Sequence, residues 1–181
     1  PFKSCTVPRP IGWLSSTSPD GIENLAPYSQ WQNLTFDPPM VMFSANQYPD
    51  GRRKDTVLNA EQTGWFAWNM ATWELREAVN ISAMALPAEE SEFDHAGVTR
   101  TYADLAPMVP MVAESPVHFE CRYLSTHRLV GHSNVGTIDI VFARVERIHI
   151  DDSVLTPDGK IDIPRIRPIA RLGYFDYTVV T

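Results

Sequence analysis

Cysteine is nearly absent: Cys5 and Cys121 are the only two in 181 residues. A single pair of thiols builds no disulfide framework, so a reducing cytoplasm is the expected compartment. Basic charge is also scarce. Fifteen Lys and Arg against 22 Asp and Glu leave a net charge of −7. A nucleic-acid surface needs clustered cations to neutralise phosphates, so no nucleic-acid partner is expected. A small anionic ligand needs only one local basic pocket and stays open. No uninterrupted apolar run approaches the roughly 20 residues of a membrane span, so no membrane partner is expected either. No secretory leader is legible in a sequence that opens at Pro1 without a methionine.

Several catalytic signatures are missing too. The five histidines, His95, His118, His127, His132 and His149, show no HExxH spacing, and no metal site is expected. There is no GxSxG elbow, and Cys121 lies mid-strand, where a small buried residue belongs. The stretch from Gly131 to Gly136 is bounded by glycines but matches neither GxGxxG nor a phosphate loop. The sequence has no internal repeat and no low-complexity segment.

What is present reads as one domain over residues 1–181, since halves of that length would have thin cores. Ile11–Thr17 is β-prone, Ser18-Pro19-Asp20-Gly21 is a turn, and Ile22–Tyr28 returns antiparallel. Asp37-Pro38-Pro39 launches a short apolar strand, Met40–Ser44. Asp55 to Gly64 predicts a helix, with Asp55 or Thr56 as cap and Gly64 as left-handed stop. Trp65–Met70 reads as an aromatic strand. Thr72 is placed as the cap of a helix running from Trp73 to about Met84, and a short helix is placed near Glu90–Ala96. Pro107, Pro110 and Pro116 suggest an extended connector. Val117–Leu124 and Thr137–Ile150 alternate as strands. Many short strands with a few helices between them favour an antiparallel barrel carrying added helices.

Two polar segments stand out. Arg52, Arg53 and Lys54 directly precede the predicted helix, whose N-terminal N–H groups and partial positive charge suit an anion. In Asn24-Leu25-Ala26-Pro27-Tyr28-Ser29, a proline frees backbone groups at a strand edge beside amide, hydroxyl and phenol groups. Together they suit a phosphorylated planar ligand. The plainer alternatives are a solvated basic loop and a bulged edge strand.

The pieces PRPIGW (Pro8–Trp13), NLAPYS (Asn24–Ser29), DPPMVMFS (Asp37–Ser44), KDT (Lys54–Thr56), ESPVHFECR (Glu114–Arg122) and RPIARLG (Arg167–Gly173) together resemble the flavin reductase-like, FMN-binding split-barrel family. The resemblance implies a mainly β fold: a six-stranded antiparallel Greek-key split barrel with added helices. It also implies FMN bound without a covalent bond, and a homodimer with its cofactor sites near the subunit interface. Carried over by position, Asn24, Ala26, Pro27, Tyr28 and Ser29 would line the ring and ribityl chain, and Ser15, Ser16 and Thr17 would reach the same cofactor. Ser44, Lys54, Asp55 and Thr56 would hold the ribityl chain and phosphate.

The activity implied is hydride transfer from NADH or NADPH to flavin N5, with reduced flavin supplied to a monooxygenase partner. The alternatives are a flavoredoxin-like electron carrier and a non-catalytic barrel. No side chain is required as an acid or base. His132, Arg171 and Tyr174 are placed on the nicotinamide side, because a dinucleotide pyrophosphate wants a cation. Two departures bear on the substrate. Gly131-His132-Ser133-Asn134 offers a histidine without the adjacent aspartate seen in related reductases, and Gln30-Trp31-Gln32 is bulkier than that segment usually is.

Overall fold

The computed structural model describes residues 2–87 and 89–181. A 3-10 turn, Phe2–Ser4, leads into β1 (Arg9–Pro10) and β2 (Gly12–Thr17). The chain reverses at Gly21, whose φ of 86° suits glycine, and returns as β3 (Glu23–Tyr28). Then come β4 (Trp31–Phe36), β5 (Pro39–Asn46), α1 (Asp55–Thr63), β6 (Trp65–Asn69), α2 (Arg76–Ile81) and α3 (Glu92–Ala96). The second half carries β7 (Arg100–Tyr102), β8 (Pro110–Val112), β9 (Val117–Leu129), β10 (Ile138–Ile150), α4 (Ile163–Ile166), β11 (Ile169–Arg171) and β12 (Tyr177–Val179).

The main sheet is antiparallel throughout, in the order β3-β2-β6-β9-β10-β5-β4. It has seven strands, not the six implied by the resemblance. The addition is β4. Its first residue, Trp31, is buried and stacks on Trp68 with centroids 5.8 Å apart. Gln32 to Phe36 are exposed, so the segment carries no alternating signal. Asp37-Pro38, read as the entry to one strand, is the turn of a hairpin that pairs Phe36 with Pro39.

Although β3 and β4 are opposite edges of this sheet, only Ser29 and Gln30 connect them. Laid flat, the edges would lie about 29 Å apart, whereas the three steps from Tyr28 to Trp31 span about 10 Å. The sheet is therefore curled into a barrel, and the Ser44 N–H fastens the junction by donating to the Gln30 carbonyl at 2.9 Å.

All six residues of β2 are buried, because the strand has a core on each side. Leu14 joins Trp31, Phe43, Val57, Phe66, Trp68 and Val141 inside the barrel. Trp13 turns outward into a second core with Leu25, Val79, Phe93 and Ile169, under α2, α3 and β11. There its indole N–H donates to Ser82 Oγ at 2.9 Å.

Two helix expectations are corrected. The second helix spans only Arg76–Ile81, with Leu75 and not Thr72 before it. Thr72 is instead extended, bridged antiparallel to Pro168, and the Trp73 N–H donates to the Arg167 carbonyl, so this stretch anchors the C-terminal tail. Neither Asp55 nor Thr56 caps α1. Lys54 holds the cap position and makes no side-chain cap bond, while Gly64 ends the helix at φ 80° as expected. The proline-rich connector also contains a strand, Pro110–Val112, paired with Arg100–Tyr102.

Candidate functional site

Asn24, Ala26, Pro27 and Tyr28 meet Lys54, Asp55 and Thr56 in one cleft of about 120 Å³. Two local structures bring them together. Pro27 is tolerated because β3 is an edge strand, where a missing N–H costs no ladder bond. Helix α1 packs Val57 and Ala60 into the barrel core, which sets its first turn beside β3.

A chain of hydrogen bonds stitches the cleft floor. The Tyr28 hydroxyl donates to Thr56 Oγ1 at 2.9 Å, and Thr56 Oγ1 donates to Asn24 Oδ1 at 2.7 Å. Asn24 Nδ2 and the Leu25 N–H both donate to Glu92 Oε2, at 3.0 and 2.9 Å. Burial pushes the Tyr28 phenol far above its ordinary pKa and raises the Glu92 carboxyl as well. Both shifts favour neutral groups beneath the cleft. The Lys54 ammonium lies 3.4 Å from the Tyr48 ring centroid, and burial lowers its pKa. The first turn of α1 beside it keeps its N–H groups free of any side-chain cap.

A larger cavity, about 540 Å³, shares Pro27, Tyr28 and Ala83 with this cleft. Its walls include Ser29, Arg171 and Tyr174, which were foreseen, and Arg9, Lys3 and Tyr177, which were not. Ser29 Oγ accepts from Arg9 Nε at 3.4 Å. Arg171 donates to the Tyr174 carbonyl and lies over the Tyr177 ring, 4.6 Å from its centroid.

Other expected residues are elsewhere. Ser15 is fully buried and donates to the Pro110 carbonyl at 2.5 Å. Ser16 is equally buried and accepts from Asn59 Nδ2 at 3.1 Å. Thr17 donates to the Met108 carbonyl at 2.5 Å. These hydroxyls fasten loops and helix to the barrel, and none lines either cavity. Ser44 is buried opposite Ile140 and lines neither cavity. His132 is exposed where β9 turns into β10, and the structure does not bring it to Arg171 and Tyr174.

Sequence reasoning missed Glu92, Tyr48, Ala83 and Arg9. Tyr48, an aromatic just ahead of a basic loop, was legible as a cation partner for Lys54. Glu92 lay hidden in an acidic, aperiodic stretch, and Ala83 and Arg9 carry no local signal. A second acidic group, Glu120, has its own structural partners. Its carboxylate accepts from the Asp104 and Leu105 N–H groups at 2.9 and 2.8 Å and from His149 Nε2 at 2.6 Å. Cys121 is buried and its thiol pKa is pushed up by that burial, so it is an unreactive core residue.

Comparison with known proteins bears on the family and the fold. An uncharacterised protein of Halalkalibacterium halodurans is 35% identical over 94% of this chain and 81% of its own length. One of Aquifex aeolicus is 35% identical over 92% of this chain and 82% of its own. The crystal structure of nitrilotriacetate monooxygenase component B from Bacillus cereus superposes with a TM-score of 0.92 at 29% identity, covering 99% of this chain and 88% of that one. The flavoredoxin of Desulfovibrio vulgaris shares the fold, with a TM-score of 0.82 at 17% identity over 97% of this chain and 88% of that one. The model of the flavin reductase like domain matches residues 4–178, and the chain belongs to that family.

Proposed function

We propose that this protein binds FMN and acts as an NAD(P)H-dependent flavin oxidoreductase. The observation that carries the reading is the meeting of Asn24–Tyr28 with Lys54–Thr56 at one cleft that shares Pro27, Tyr28 and Ala83 with a larger cavity. Donor chemistry supports FMN. A phosphate needs a cation and N–H donors, and Lys54 with the uncapped first turn of α1 supplies both. Asp55 and Glu92 line the same cleft and oppose it, and burial raises the Glu92 pKa. The smaller cleft falls below the roughly 300 Å³ of a usual ligand site, so the ligand extends past Pro27 and Tyr28 into the larger cavity.

In this reading Lys54 and the α1 amides hold the phosphate, while Asn24 and Thr56 fix the cleft wall along the ribityl chain. Ala26, Pro27 and Tyr28 flank the ring, with Tyr28 kept a neutral donor. The side chains of Ser15, Ser16, Thr17 and Ser44 take no part. FMN held there would supply the redox chemistry of hydride transfer from a nicotinamide. The protein's task is orientation and exclusion of water, and none of its side chains need transfer a proton. The likeness to a monooxygenase component B supports delivery of reduced flavin to a partner oxygenase.

Purified protein mixed with excess FMN and desalted is expected to retain flavin, and stopped-flow mixing with NADPH or NADH to bleach its visible absorbance. Failure of FMN and FAD to bind at tens of micromolar, roughly −6 kcal/mol, overturns the reading at its base. Tight flavin that neither nicotinamide reduces would replace it with an electron carrier served by another protein.

A further inference from the structure

Of the 15 basic residues, most are ion-paired to a carboxylate. Among the described residues Lys3, Arg9, Lys54, Arg122, Arg165 and Arg171 are not. Lys54 lines the smaller cleft, and Lys3, Arg9 and Arg171 together line the larger cavity, whose walls contain no Asp or Glu. In a chain of net charge −7, three cations with no carboxylate among them mark the larger cavity as a place for negative charge.

The strand register sharpens this. Arg9 and Arg171 are directly opposed across the β1–β11 pair, and like charges in that relation repel. Neither has a carboxylate to relieve it. Arg9 donates only to uncharged oxygens: the Lys3 carbonyl, the Thr6 carbonyl at 2.9 Å, the Leu172 carbonyl at 3.1 Å and Ser29 Oγ at 3.4 Å. The wall is also firmly built. A side chain at Gly173 would collide with Ser4, so the turn bearing Lys3 is pressed against the tail bearing Arg171.

We propose that Lys3, Arg9 and Arg171 form a phosphate clamp on the donor side of the larger cavity, and that it selects NADPH over NADH through the 2′-phosphate. The inference rests on the nicotinamide-donor reading above. Two opposed guanidiniums and an ammonium offer more positive charge than the pyrophosphate common to both donors requires, and the extra phosphate of NADPH meets the surplus. One charge-assisted phosphate contact corresponds to about a ten- to hundredfold preference.

The test compares ligands that differ only by that phosphate. Calorimetry of the FMN-loaded protein is expected to show 2′,5′-ADP binding about ten- to hundredfold tighter than 5′-AMP. The Lys3→Gln/Arg171→Gln double variant is expected to lose most of that difference while keeping its FMN affinity, and Arg171→Lys to keep part of it. Equal affinity of the wild type for the two nucleotides overturns the clamp without recourse to any variant. A fall in FMN affinity in the double variant also overturns it, by assigning these cations to the flavin. The two readings fail separately. Equal kcat/KM with NADH and NADPH sinks the clamp and leaves the reductase standing. Preferential binding of 2′,5′-ADP by a protein that neither donor reduces leaves the clamp and sinks the reductase.

Discussion

Lys54 sits at a helix start, against an aromatic face, beside two carboxyl groups and a line of neutral donors. Removing its ammonium with Lys54→Ala takes away one charge-assisted contact, worth about 1.5–3 kcal/mol. FMN affinity is expected to fall about ten- to a hundredfold, with riboflavin, which has no phosphate, nearly unaffected. Fluorescence-quenching titrations of both flavins decide the matter, and equal losses would give Lys54 a purely structural role. The lowered pKa adds a pH signature. A base with a depressed pKa is charged below that value and loses its charge as pH rises through it. FMN affinity should therefore begin to decline at a lower pH than the titration of an exposed lysine, near 10.4, would give. Riboflavin affinity should not follow.

Strand β2 shows how closely the elements are fitted. A Cβ on Gly12 would lie 2.9 to 3.1 Å from atoms of the Trp31 side chain, and Trp31 is itself backed by Trp68. Trp68 packs in turn on Phe119, with centroids 4.4 Å apart. Gly12→Ala is expected to cost about 1–3 kcal/mol and to lower Tm by roughly 2–4 °C for each kcal/mol. Thermal melts of the two proteins measure this, and an unchanged Tm would show that the tryptophan pair can shift. The same strand marks the reach of sequence reading. β-Prone residues and the turn after them identified β2 as a strand, but a strand buried on both faces gives no clue to which hydroxyls meet a ligand. The resemblance places Ser15, Ser16 and Thr17 within reach of the cofactor, whereas the structure turns their hydroxyls to Pro110, Asn59 and Met108. Helix α1 and its Gly64 stop were legible because their signals are local. So were the two polar segments, Asn24–Ser29 and Lys54–Thr56, that converge in the cleft. Strand β4 was not, because one buried tryptophan fixes it. The Arg9–Arg171 pair was not, because 162 residues separate its members.

At the scale of the whole molecule, several large apolar side chains face outward. Phe36 is 90% and Val130 83% exposed, and Leu34, Leu124 and Leu129 are each more than two-fifths exposed. Apolar surface of this kind on strands calls for cover, and a twofold interface between copies supplies it. A homodimer is expected in sedimentation at micromolar concentration with FMN present, and Phe36→Glu is expected to shift it toward monomer. A wild-type monomer under those conditions would refute the assembly. The junction of the barrel carries a consequence of another kind. Ser29 and Gln30 act as the clasp of a hoop, with cleft-lining Tyr28 on one side and core-bound Trp31 on the other. Slack inserted at the clasp would loosen the grip on the ligand and the barrel together. A residue inserted between Ser29 and Gln30 is therefore expected to weaken flavin binding and lower Tm together, whereas slack elsewhere in the chain would separate the two.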